Sequence, residues 1–290
     1  MRFSFIIPTI GRKEEVAQLL KSIRDNVRDT YEIIIVDQNN NNLLDDIVNE
    51  FKEFMRIKHL KVNFKGASKA RNYGIKFAKG EIINFPDDDS EFSDKLIEKV
   101  LDSFKAEAQI DILFGKAVDK NNMQNSVIKF KDSKEVVCFN NIYKTTVEFT
   151  MFIKRDSFID IGGFDENLGV GTYCGADEGA DFVIRALNAG KEIMYNPEII
   201  FFHPQKGKVY DEKDIERALK YGRGFGALTY KHVRLKNYKV LVMSIKFNIK
   251  AIGAMGIAIL KGNKGMFKFY RNTIKGRVQG FIYRRQQYAT

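Results

Sequence analysis

An α/β fold, a mostly parallel sheet flanked by helices with a basic helical extension at the C-terminus, is predicted by three observations. Short apolar runs alternate with segments of helical periodicity through the first half of the chain. Three consecutive carboxylates, Asp87-Asp88-Asp89, directly follow one such run, Glu81–Phe85. The charge is split: residues 205–290 hold 20 Lys/Arg against 4 Asp/Glu, with no acidic residue after Glu216, although the whole chain has a net charge of only +11.

In order, Phe3–Ile7 reads as a strand broken by Pro8-Thr9-Ile10-Gly11, and Val16, Leu19, Leu20 and Ile23 then follow helical spacing. Tyr31–Val36 is a second buried strand ending at Asp37. A helix around 43–55 leads to a strand over 60–64, and a helix over 68–79 is closed by Gly80. The strand 81–85 and the acidic run precede a helix capped by Ser93, and 111–118 is a further strand. Residues 119–150 are polar and read as extra strands and loops. Met151–Ile153 is a strand, Gly169–Gly175 a glycine-rich loop, and Asp177–Asp181 opens a helix that ends at Gly190 before a last strand reaching His203.

Composition limits the chemistry. At 44% hydrophobic and 29% charged residues in 290, the chain can bury a sizeable core. Two cysteines imply no disulfide framework and fit a reducing compartment, and three histidines offer little for a zinc site. Only Met1-Arg2 precede the first apolar strand, so no signal peptide is expected. The acidic run sits where open α/β sheets bind ligands, and hard oxygen donors there suit Mg²⁺ or Mn²⁺ holding nucleotide phosphates. The same residues in another setting form a solvated loop or a helix N-cap region. Asp37 reads as a ligand contact or a helix cap. The carboxylates Asp177, Glu178 and Asp181 at a helix start are also ordinary dipole partners.

The ordered series Ile6-Ile7-Pro8-Thr9, Ile35-Val36-Asp37, Ala70-Arg71-Asn72-Tyr73-Gly74, Phe85-Pro86-Asp87-Asp88-Asp89, Gly162-Gly163-Phe164-Asp165 and Glu178-Gly179-Ala180-Asp181-Phe182 resembles the family 2 inverting glycosyltransferases of bacterial surface-polysaccharide type. The resemblance covers roughly residues 3–204. It implies the GT-A fold, Rossmann-like in its sheet, a nucleotide-diphosphate sugar as donor and a divalent cation. Pro8, Thr9, Asp37, Arg71, Asp87 and Asp88 are then the donor-binding residues, with Asp37 toward the nucleobase and Arg71 beside the diphosphate. Asp87 and Asp89 match the outer members of the family's Asp-X-Asp motif, and Asp89, Asp87 and His203 become the metal ligands. Arg71 as an exposed helix charge and His203 as a structural residue are the alternatives. Gln38-Asn39-Asn40 departs from the family's usual continuation after Asp37, which leaves UDP as a default. Glu178 is the implied base, Asp177 its substitute and Asp181 an orienting group; Gly179 stands where many members carry an Asp.

Residues 1–205 are thus expected to form the catalytic, nucleotide-sugar-binding domain, and 206–290 a basic amphipathic region. In Val240–Leu260, the most apolar run, Lys246 and Lys250 interrupt the hydrophobic stretch, and the unbroken piece Ala251–Leu260 is too short to span. Helices lying on an anionic leaflet, with Ile252, Ile257, Leu260, Phe267 and Phe269 buried shallowly, are expected, as is packing of the tail on the catalytic domain. The expected setting is the cytoplasm, peripheral on the inner face of the plasma membrane, with a glycan or lipid-linked acceptor. The rival readings are a sugar nucleotidyltransferase, for which Pro8–Arg12 is a poor phosphate loop, and a nucleic-acid-binding protein, for which no module is recognisable.

Overall fold

The computed structural model describes residues 2–205, 207 and 209–288. The chain forms two compact units, residues 1–164 with 182–206 and residues 165–181 with 207–290. The first is an α/β unit. Its strands are β1 (Phe3–Thr9), β2 (Tyr31–Asp37), β3 (Ile57–Lys61), β4 (Ile82–Asn84), β5 (Glu91–Phe92), β6 (Ile112–Val118), β7 (Glu135–Val136), β8 (Met151–Lys154) and β9 (Ile193–Phe202). The helices between them are α1 (Glu14–Asn26), α2 (Asp45–Lys52), α3 (Ala67–Ile75), α4 (Leu96–Ala106), α5 (Ile142–Thr145), α6 (Arg155–Ile161) and α7 (Glu178–Asn188), which starts in the second unit's segment.

The strands make one sheet in the order β3-β2-β1-β4-β8-β6-β9-β5, with β7 beside β9. The parallel pairs β1–β2, β2–β3, β1–β4 and β6–β9 carry most of the registered residues, while β8 runs antiparallel between β4 and β6. From β1 the chain goes outward to β2 and β3 and then returns to the other side of β1 as β4. That reversal is the switch point at which open α/β sheets form a crevice beyond the strands' carboxyl ends. Strands buried on both faces explain why Ile33–Val36 and Phe5–Ile7 read as continuous apolar runs.

Several boundaries differ from expectation. β1 continues through Pro8 and Thr9, because β4 registers only with Phe3–Phe5 and leaves the proline with a strand on one side, where it is tolerated. β3 lies three residues earlier than expected. α3 ends at Ile75, and Gly80 is no helix cap: a Cβ there would sit 2.4 Å from the Ser4 amide nitrogen, and its own N–H donates to Ser4 Oγ. The cap residue of α4 is Lys95 in the left-handed region, not Ser93.

The second unit contains α8 (Glu212–Arg234), α9 (Tyr238–Leu260) and α10 (Lys264–Gln287). Glycines bring α8 and α10 into backbone contact. A Cβ at Gly226 would lie 2.0 Å from Arg277 O, and one at Gly280 would lie 1.9 Å from Arg223 O. Helix propensity alone would make Gly280→Ala stabilising by about 1 kcal/mol. The clash reverses the sign, so Gly280→Ala is expected to destabilise by about 1–3 kcal/mol, read as a lowered urea midpoint. A raised midpoint would contradict this packing.

Candidate active site

Asp87 follows β4 by three residues, and the Ser90 N–H and Oγ–H both donate to Asp87 O, closing the turn that carries Asp88 and Asp89. Buried Asn84 in β4 donates to Phe149 O and Met151 O, and Phe149 in turn stacks on the His203 ring at 5.2 Å. These contacts bring the end of β9 beside the turn after β4. One ligand atom each from Asp87, Asp89 and His203 lies within 4.8 Å of the others. His203 Nε2 stands 3.3 Å from Asp89 Oδ1.

Three carboxylates in a partly buried turn repel one another, and the structure opposes them with two arginines. Arg71, almost wholly buried on α3, donates to Asp87 Oδ1 at 2.9 Å. Arg12, from the loop after β1, pairs with Asp89 and lies 3.3 Å from Asp88. Burial pushes Asp88 up to about 6 against the pull of Arg12 and of the Thr9 hydroxyl. Burial also raises Asp87 despite Arg71, helped by the negative field of Glu148. At Asp89 burial is outweighed by hydrogen bonds from His203 and Arg12, which hold it well below the usual carboxylate range.

The His203 ring supplies a test of the donor set. Its Nδ1 is 2.9 Å from Pro204 O and 3.0 Å from Ser126 Oγ, and Ser126 Oγ donates to Pro204 O. A carbonyl oxygen only accepts, so Nδ1 carries the proton. Nε2 is then the ring nitrogen that faces Asp89, where it can donate to the carboxylate or offer its lone pair to a cation held between them. Two carboxylate oxygens and one imidazole nitrogen therefore fit a divalent cation.

Asp37 ends β2 fully buried. Its Oδ1 accepts from the Asn39 backbone and side chain, and its Oδ2 lies 2.9 Å from His59 Nε2 on β3. It caps no helix, since α2 begins at Asp45 after Leu44. Asn39 also accepts from the Gly11 N–H, joining the loops after β1 and β2. Pro8 and buried Thr9 complete the carboxyl end of β1. Arg12, His59, Asn39 and Glu148 escaped the sequence reading. Of these only Arg12 had a visible signal, a cation placed just after the first strand and Gly11.

In the second unit, Asp177 takes a left-handed backbone (φ 70°) before α7, and its carbonyl accepts from the Asp181 N–H. Strain of this kind in a non-glycine residue persists only where the surroundings impose it. The constraint is visible at Gly224 of α8, where a Cβ would lie 2.4 Å from Ala176 O. Glu178 is buried. Asp181, expected to orient a base, is held by Lys231 Nζ at 2.8 Å and His232 Nε2 at 2.9 Å. Lys231 also reaches Asp165, which pairs with Arg284 of α10. The segment 165–181 is thus tied by buried ion pairs to the helices of its own unit.

The family model described as Glycosyl transferase family 2 matches residues 4–162, more than half of the chain. An "Uncharacterized glycosyltransferase" of Haemophilus influenzae is 25% identical over 245 residues, 80% of this chain and 79% of that protein. The "Poly(ribitol-phosphate) beta-N-acetylglucosaminyltransferase TarS" of Staphylococcus aureus is 28% identical over 162 residues, covering 51% of this chain; the match spans only 28% of that protein's length. A structure of S. aureus TarS 1–349 in complex with UDP-GlcNAc superposes with a TM-score of 0.60 at 17% identity, over 99% of this chain and 92% of that one. The mannosyltransferase PcManGT from Pyrobaculum calidifontis, in complex with GDP-Man and Mn²⁺, gives 0.64 at 14% identity, over 96% and 86%. These likenesses establish the GT-A fold.

Proposed function

We propose, from the premise that this chain belongs to glycosyl transferase family 2, that it moves a sugar with inversion from a nucleotide-diphosphate donor to a hydroxyl of a glycan or lipid-linked acceptor. The observation that carries this reading is the convergence of Asp87, Asp89 and His203 at the sheet's switch point. UDP is the default nucleotide. The UDP-GlcNAc bound by TarS and the GDP-Man bound by PcManGT support a nucleotide-sugar donor and leave the base open.

Asp87, Asp89 and His203 would hold Mn²⁺ or Mg²⁺, whose charge stabilises the leaving diphosphate. Arg71, fixed under Asp87, adds a second positive charge beside the phosphates, and its planar fork suits their oxygens. Arg12 shields Asp88 and Asp89 from each other. Asp37, with His59 on one oxygen and Asn39 on the other, serves the nucleobase end, between Pro8-Thr9 and the second loop. Glu178 takes the proton from the attacking hydroxyl, with Asp177 as its substitute, and Asp181 fixes their helix through Lys231 and His232.

The chain works in the cytoplasm on the anionic inner face of the plasma membrane, within a surface-polysaccharide pathway. The excess of basic over acidic residues after position 205 supports this location. A panel of nucleotide-diphosphate sugars tested for thermal stabilisation checks the donor reading. One donor at about 100 times its Kd should stabilise by about 2.7 kcal/mol, and only with Mn²⁺ or Mg²⁺ present. No stabilisation by any nucleotide sugar would contradict it.

A further inference from the structure

We propose that the outward face of α9 is a lipid-docking surface that seats shallowly among the headgroups of an anionic membrane. The proposal deepens the location given above and is independent of the transfer chemistry. At 100° per residue, Val242, Ile245, Ile249, Ile252 and Ile259 fall on one face of α9. That face is in water: Ile249 is 63% exposed, Ile252 61%, Ile259 66% and Leu260 at its end 88%. The opposite face is already used, with Val240, Met243, Ser244, Ala251 and Ala258 buried and Phe247 stacked on Phe225 of α8. A continuous row of exposed isoleucines on a helix docked by its other side marks an interaction surface.

Charge selects the occupant. Lys239, Lys246 and Lys250, all exposed, line one edge of the row, and no acidic residue follows Glu216 in the chain. A second copy laid on this face would bring lysine against lysine with no carboxylate on α9 or α10 to pair with them. An anionic lipid surface satisfies both the isoleucines and the lysines. By length and composition α9 is also long enough to cross a membrane, although its unbroken apolar run, Ala251–Leu260, is too short to span. Crossing would carry Lys246 and Lys250 into hydrocarbon, whereas an interfacial helix leaves them at the headgroups. The structure also changes which aromatic groups are available. Phe269 packs edge-on against Tyr210 at 5.4 Å, so its ring is engaged within its own unit and the lipid-facing row is carried by α9.

The full chain should co-sediment with vesicles of phosphatidylglycerol and phosphatidylcholine and only weakly with phosphatidylcholine alone. Ile249→Glu with Ile252→Glu should weaken binding at least tenfold without unfolding, since both positions face water. Lys239→Gln, Lys246→Gln and Lys250→Gln together should weaken it by roughly one to two orders of magnitude and flatten its salt dependence. Unchanged binding of the glutamate variant overturns the proposal. So does a dimer of the full chain that the glutamate variant dissolves, or a protein released from vesicles only by detergent. None of these outcomes bears on donor stabilisation, so failure of the docking surface and failure of the transferase reading are separable.

Discussion

Asp89→Ala is expected to abolish sugar transfer and the metal dependence of nucleotide binding while the chain stays folded. Asp89 is the carboxylate of the run that faces both His203 and Arg12 and is held ionised there, which places an anionic oxygen beside the imidazole of the cluster. Without it, two donors remain, and the leaving diphosphate loses a stabilisation of several kcal/mol, or about 10³-fold or more in rate. The fold should survive because the side chain lies in a turn at the rim of the sheet, and because its loss relieves repulsion with Asp87 and Asp88. His203 keeps its contacts with Phe149, Ser126 and Pro204. Rates measured across a Mn²⁺ titration, beside the far-UV circular dichroism of the variant, check both halves. An unaltered Mn²⁺ response would remove Asp89 from the metal site.

Glu178→Gln should lower kcat by about 10²–10⁴ and leave donor affinity nearly unchanged. The amide matches the carboxylate in shape but does not accept the acceptor's proton. Asp37, Arg71 and the Asp87–Asp89 turn, the residues assigned to the donor, keep their side chains in this variant. The neighbour provides the control. Asp177 carries the strained backbone and Glu178 the buried side chain, so the two positions differ in environment although adjacent. Single-turnover rates for Glu178→Gln and Asp177→Asn, together with donor binding by calorimetry, separate them. Retained activity in the first and loss in the second would make Asp177 the base.

The acidic run, the buried strands and the order of the α/β elements were legible because each rests on local pattern: period, turn residues and carboxylates after an apolar run. His203 was legible as a site candidate only through the family resemblance, since it follows the last strand of the series. Its partner atoms could not be read, since Ser126 is 77 residues away in sequence and Phe149 is brought in by Asn84. Arg12 looked like a failed phosphate loop because a pattern search asks for glycines and a lysine, whereas its role here is electrostatic. Gly80 misled for a related reason: close approach to Ser4 and helix termination call for the same residue. The ties of Asp165 and Asp181 to Lys231, His232 and Arg284 link positions from about 50 to about 120 apart, and no local signal announces them.

The turn after β4 is expected to hold a divalent cation together with a nucleotide diphosphate. Electron paramagnetic resonance of free Mn²⁺, titrated with the full chain in the presence and absence of UDP, tests it most directly. One Mn²⁺ should bind per chain, more tightly with UDP present, and binding should be lost in Asp89→Ala. UDP binding that is indifferent to Mn²⁺ and to EDTA, in a chain that binds no Mn²⁺ at this turn, would contradict it.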